Sequence, residues 1–337
     1  MHLTRGVYHT SVINQKRRIK RGETKVENTS FAEGFDIFRK IHEEEFDTSN
    51  KNFLKMYMLN TNNKLFSYQE LYDHILDNIT NYVFSRSKIS EAEKDNRKRK
   101  KIILEAINRL RPIDSEQDLG AGGELGEILL YLFLEQDLHA PKLFSKVELK
   151  TNNKDYVKGS DGIHFRFRTN SSGHKILQLV IGEAKIQNSL RSAIDEAFSS
   201  INAYLTSNIQ DIILLDSHLM DQLVDKDEAA ELKTYLFGLS RKKREIVFGI
   251  FIGYTIEYTG ANDNNDEYDV KVIDENIKQV LKLKHHIINQ INKHNISNYE
   301  FNFFFLPFHD AAKDRRAIMK ALTEGKPYLP LGDIRNG

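Results

Sequence analysis

The chain has 337 residues, and its 49 Lys and Arg stand against 48 Asp and Glu for a net charge of +1. No global excess of positive charge marks it for nucleic acid, so any such surface has to be local. Its 20 Phe, 14 Tyr and 40% hydrophobic content exclude a disordered chain, and the absence of Cys excludes disulfides, thiolate zinc sites and cysteine nucleophiles.

In chain order, Met1-His2-Leu3-Thr4-Arg5 leads into a polar segment without an apolar core, so no secretory signal is expected. With no cysteine, this fits a reducing cytoplasm. Residues 1–60 give no clear period and read as mixed structure around a basic run, Lys16 to Arg21. Ser67-x-x-Glu70, ahead of Leu71, Ile75, Ile79 and Val83, predicts a helix opened by a capping box. Ser90-x-x-Glu93 predicts a second helix running to Leu110. Arg111-Pro112-Ile113-Asp114-Ser115 ends it and marks a domain boundary. The division is a mainly helical amino-terminal region, 1–115, as a candidate partner or DNA contact, and a second domain over 116–337.

Beyond the boundary the pattern turns α/β. Gly120 to Gly123 lead into a helix over 124–137, followed by strands at 143–150, 161–168 and 176–186. A helix over 189–205 carries Leu190, Ile194, Phe198 and Ile201 on one face. Further strands are expected at 210–215, 245–254 and 299–308, with helices at 229–239, 275–294 and 311–322. The Asn- and Asp-rich stretch 260–269 reads as a loop. The longest apolar runs, 246–254 and 301–308, are too short to cross a bilayer and read as buried strands.

The most informative stretch is 159–187. Folding it about Ser172 sets Phe167 opposite Leu177, Phe165 opposite Leu179, Ile163 opposite Ile181, and Asp161 opposite Glu183. Three apolar pairs fix that register, because a slip of one residue would turn each set to the other face. The Asp161 and Glu183 side chains then start roughly 5 Å apart at Cβ. Lys185 shares the parity of Glu183, and Ile176, Val180, Gly182 and Ala184 leave the other face apolar or small, as in a central strand. A structural ion-pair network is the plain alternative. Burying two acids and a lysine without a metal costs several kcal/mol, roughly, and favours the metal reading.

Helix, strand, strand, strand, helix, strand with D…ExK on the second and third strands resembles the PD-(D/E)XK restriction-endonuclease-like fold, a mixed sheet flanked by helices. Glu148-Leu149-Lys150-Thr151, Lys158-Gly159-Ser160-Asp161-Gly162-Ile163-His164 and Gly182-Glu183-Ala184-Lys185 further resemble the HamA family, the nuclease subunit of the Hachiman anti-phage defence system. The resemblance covers roughly 119–310; the isolated ExK triplet is a weak signal and the full combination a much stronger one. It implies a metal-dependent DNA endonuclease, a hydrolase of phosphodiester bonds, working with a helicase partner of the HamB type. The chain itself has no GxxxxGK[ST] loop for ATP.

In such a nuclease Mg²⁺, with Mn²⁺ as a substitute, would be held by Asp161, Glu183 and the backbone carbonyl of Ala184, since Mg²⁺ takes oxygen donors and keeps several waters. It would act as the Lewis acid that activates water. Lys185 would orient or deprotonate that water, or stabilise the pentavalent state. A first-helix glutamate often completes related sites; Glu127 is the preferred candidate over Glu124, and stabilisation of a helix N-terminus is the competing role for both. Glu148-Leu149-Lys150 is a second ExK on a strand with one solvated face, without a hairpin partner. Gln187 has the parity of Lys185 and is a candidate phosphate contact or strand-end hydrogen bonder. His164 faces away by parity.

Arg97-Lys98-Arg99-Lys100-Lys101 encircles its helix, so only part of it can reach one groove. It, Lys16 to Arg21 and Arg241 to Arg244 can add phosphate contacts or meet an acidic partner. His285-His286 reads as a surface pair. Two other functions compete: a stand-alone restriction or repair nuclease, and a nuclease fold kept as a non-catalytic interaction scaffold. RNA stays open beside DNA, because the sequence does not distinguish the sugars.

Overall fold

Three parallel strands of apolar residues form the middle of the molecule. The computed structural model describes residues 34–48, 50–110, 123–145, 147, 160–206, 226–236 and 244–328. Its strands are β1 (Phe38–Asp47), β2 (Lys51–Leu59), β3 (Thr61–Asn62), β4 (Leu65–Phe66), β5 (Lys142–Ser145), β6 (Gly162–Thr169), β7 (Lys175–Gln187), β8 (Arg244–Thr255) and β9 (Glu300–Phe308). Seven of them make one mixed sheet in the order β1-β2-β9-β8-β7-β6-β5. β7, β8 and β9 run parallel to one another, β2 is parallel to β9, and β5, β6 and β7 are antiparallel neighbours. Strands paired on both sides and covered on both faces read as continuous apolar runs, as Phe301 to Phe308 does.

The helices are α1 (Tyr68–Val83), α2 (Arg86–Glu93), α3 (Asn96–Arg109), α4 (Gly123–Gln136), α5 (Leu190–Thr206), α6 (Lys226–Leu236), α7 (Asn265–Leu281), α8 (Lys284–Lys293) and α9 (Ala311–Glu324). One core joins α1, α4 and α9 to one side of the sheet, through residues such as Leu130, Val180, Phe251 and Phe304. The other joins α5, α6 and α8 to the opposite side, through Phe198, Leu179, Ile181 and Phe303. This is the expected α/β class, a mixed sheet flanked by helices.

Local chemistry moves several element ends. Ser67 precedes α1 as expected, but its side chain makes no cap; Glu70 instead accepts from Asn60 Nδ2 at 3.2 Å. The single helix expected from Ser90 is two helices. Ser85 caps α2 by accepting from the Lys88 N–H, and Asp95 caps α3 by accepting from the Arg97 N–H, so Ser90 lies inside α2. The stretch 260–269 is not all loop, because Asn264 and Glu267 form a reciprocal capping box that opens α7. Helix 275–294 divides at Leu283 into α7 and α8.

The amino-terminal region carries β1 and β2 beside its three helices, and both strands belong to the main sheet. The boundary expected at 111–115 and the strand expected at 210–215 lie outside the described residues.

Candidate functional site

The β6–β7 hairpin has the expected register, with Ile163 opposite Ile181, Phe165 opposite Leu179 and Phe167 opposite Leu177. Its turn is closed by Asn170, whose Oδ1 accepts from the N–H of Ser172 and of His174, and Gly173 supplies the positive φ of 79°. At the open end, Asp161 sits one residue before β6. Its N–H donates to the Gly182 carbonyl at 2.9 Å, and its Oδ2 accepts from the Ala184 N–H at 2.8 Å. Asp161 therefore holds β7 on both sides of Glu183.

Glu183 is buried at 5% exposure, on the side of the sheet that carries Leu179, Ile181 and α5. Burial is the largest influence on its carboxyl and Asp161 adds to it; together they push the pKa up to about 7 against the opposing pull of Lys185 and Ser200. Lys185 Nζ lies 2.5 Å from Glu183 Oε1 and is its counter-ion. The expected trio of Asp161, Glu183 and Lys185 is thus brought together at one strand end.

Close approach of α4 to β7 depends on glycine. A Cβ at Gly182 would meet Leu130 Cδ2 at 2.8 Å and the Gly162 carbonyl oxygen at 3.2 Å; one at Gly126 would meet the Ala184 Cβ at 3.3 Å. α4 lies on the side of β7 opposite to Glu183 and brings Glu124 and Glu127, both buried, toward the start of β6. Glu127 Oε2 accepts from the Tyr82 hydroxyl at 3.1 Å. Asp161 lies between the two groups, and its charge is felt by Glu183 on one side and by Tyr82 on the other. Among the described residues no three His, Asp or Glu side chains stand close enough to hold a metal ion together. The donor set nearest to that task is the Asp161–Glu183 pair with the Ala184 carbonyl. Oxygen donors of this kind suit Mg²⁺, which fills its remaining positions with water. Beside them the Ser160 hydroxyl is buried and, among the described residues, has no hydrogen-bond partner, so it could bond a ligand water.

The remaining sequence candidates fall as follows. His164 faces α4, with Nδ1 2.7 Å from the Ala140 carbonyl, and takes no part in the Asp161–Glu183 pair. Gln187 ends β7 and is half-buried. Glu148 and Lys150 lie outside the described residues, as do Lys16 to Arg21 and Arg241 to Lys243. Arg97 to Lys101 are exposed on the first turns of α3, and Lys98 pairs with Glu91 at 2.7 Å. His286 Nε2 is 2.5 Å from Asp195 Oδ1, linking α8 to α5, and His285 is exposed.

Three residues near the site were not apparent from sequence. Tyr82 arrives from α1, Lys142 from β5, and Arg315 from α9, where its Nη1 donates to the Ile186 carbonyl at 2.8 Å. Each lies far in sequence from the residue it meets, and no local pattern announces it.

A family model for HamA matches residues 36–322, which takes in β1, the site hairpin and most of α9. The chain belongs to the HamA family. HamA membership makes it a component of Hachiman anti-phage defence. The HamA match begins ahead of β1 and so includes the amino-terminal strands as well as the hairpin. No curated protein matches the chain. Among the described residues no helix is long and apolar enough to cross a membrane.

Proposed function

We propose that this HamA-family chain is a divalent-cation-dependent DNA endonuclease, the effector subunit of a defence complex with a helicase. The observation that supports it is the meeting of Asp161, Glu183 and Lys185 at the open end of one hairpin, with Asp161 fixed by the Ala184 N–H at 2.8 Å and Lys185 on Glu183 at 2.5 Å. Asp161, Glu183 and the Ala184 carbonyl would hold the cation, and Glu127 on α4 would add its negative charge from behind them. Mg²⁺ or Mn²⁺ bound there supplies Lewis acidity and a counter-charge for the phosphoryl oxygens. Asp161 and Glu183 are oriented before substrate arrives, one by a peptide N–H and the other by an ammonium. Lys185, placed beside Glu183, would orient the attacking water and offer positive charge to the phosphoryl oxygens. A chain with net charge +1 depends on a partner to deliver and restrain DNA.

The test is DNA cleavage by wild type, Asp161→Asn and Lys185→Ala, with Mg²⁺ or EDTA, alone and with any co-encoded helicase. Each substitution should lower cleavage by at least about a hundredfold, and EDTA should abolish it. Dependence on the helicase would separate a defence effector from a stand-alone enzyme. Defence that survives Asp161→Asn, with no cutting by any protein, would refute the nuclease and leave a scaffold.

A further inference from the structure

Tyr82 lies near the end of α1, at 1% exposure, with its hydroxyl on Glu127 Oε2. The other acidic charges that bear on that hydroxyl are Glu124 and Asp161, so it stands where α4 turns toward the start of β6. Its ring is held by Tyr131, one helical turn after Glu127, with centroids 5.7 Å apart. Tyr131 in turn packs on His164 of β6 at 6.0 Å. The backbone beneath Tyr82 is fixed as well. Lys142 Nζ donates to the carbonyls of Asn81, Tyr82 and Phe84 at 2.8, 3.0 and 2.9 Å. Those carbonyls belong to a helix end, where such groups lack partners within the helix and a cation suits the dipole. A carboxylate oxygen accepts, so the phenol is the donor. A phenylalanine would fill the same space; only the hydroxyl addresses Glu127.

We infer that Tyr82 is a positioning residue for Glu127, fixing the orientation of its carboxylate so that its charge reinforces the cation held by Asp161 and Glu183. This rests on the proposed nuclease reading. The arrangement parallels the outer shell of metal sites, in which a hydrogen-bond donor behind a carboxylate sets its orientation and its basicity. Lys142 contributes by fixing the turn from which the phenol projects.

The experiment titrates Mn²⁺ by calorimetry into wild type, Tyr82→Phe, Glu127→Gln and the double variant without DNA, and measures their cleavage rates at saturating Mg²⁺. Tyr82→Phe should weaken Mn²⁺ about tenfold, as expected for loss of an outer-shell partner. In the Glu127→Gln background it should change affinity no further. Thermal unfolding of each variant verifies that the isosteric Phe leaves the fold intact. Unchanged Mn²⁺ affinity in Tyr82→Phe, or an equal loss in both backgrounds, overturns the role assigned to the hydroxyl. Asp161→Asn, run alongside, separates the two levels. If it removes Mn²⁺ binding while Tyr82→Phe does not, only the Tyr82 role fails; if Asp161→Asn leaves Mn²⁺ binding intact, the site reading fails and takes the Tyr82 role with it.

Discussion

His164 is enclosed on β6, and burial pushes its imidazole pKa down to about 3, with the Ala140 carbonyl pulling the other way and Lys142 and Arg86 adding to the fall. The carbonyl can only accept, so Nδ1 carries the proton of the neutral ring. In the unfolded chain the same side chain titrates near the ordinary pKa of ~6.5. Between that value and about 3 the unfolded state binds a proton that the folded state refuses, so stability falls as pH drops through the window. From pH 6.5 to pH 5 the loss from this residue alone is about 2 kcal/mol, taking ~1.36 kcal/mol per unit. His164→Asn keeps a donor near Nδ1 and has no proton to take up. Urea unfolding at pH 7 and pH 5 should show the wild type losing more stability than the variant. Equal losses would mean that His164 is hydrated or paired in the folded protein.

Among the elements, the contact of α4 with β7 carries the site, and it tolerates no side chain at Gly182. Leu130 can shift, but the Gly162 carbonyl oxygen, 3.2 Å from an added Cβ, belongs to the strand that delivers Asp161. Gly182→Ala should therefore cost about 1–3 kcal/mol as overpacking, read as a lower urea midpoint, and should reduce cleavage by pushing β6 from β7. Full stability and activity would mean that the strands have room to part. The hairpin was legible in the sequence because alternation on a half-buried strand leaves one register. Helix starts were less so. Ser85, Ser90 and Asp95 are all capping residues, and a choice among them depends on which backbone N–H groups the tertiary fold leaves open. Asp161, Glu183 and Lys185 could be found because one hairpin holds all three, whereas Tyr82 depends on the docking of α1 beside α4, which no periodicity encodes.

For the molecule as a whole, the sheet ties the amino-terminal strands to the site-bearing half. β2 pairs with β9 from Phe53 opposite Asn302 to Met56 opposite Phe305. Asp137, just past α4, accepts from Lys55 Nζ at 2.6 Å, from Lys40 Nζ at 2.9 Å and from the Tyr57 hydroxyl. Burial acts to raise its carboxyl pKa, and these three partners override it, so the pKa is lowered. A fragment starting at residue 116 would leave β9 without its β2 neighbour and strip Asp137 of Lys40, Lys55 and Tyr57. Such a fragment should not reach a cooperatively folded state. Circular dichroism melting is the measurement, and a sharp native-like transition would show that β1 and β2 are dispensable. β1 resisted reading because it mixes Arg39, Lys40, Glu43, Glu44 and Glu45 into its strand, and so lacks the clean alternation of β6.

Those same charges have a consequence at the rim of the sheet. Among the described residues β1 ends the strand order, and its ladder with β2 is irregular between Lys40 and His42. An outermost strand is a template onto which another chain can add. Six ionic residues within ten, and a bulge that twists the ribbon, make that templating unfavourable. Fibril growth through this border is thereby disfavoured.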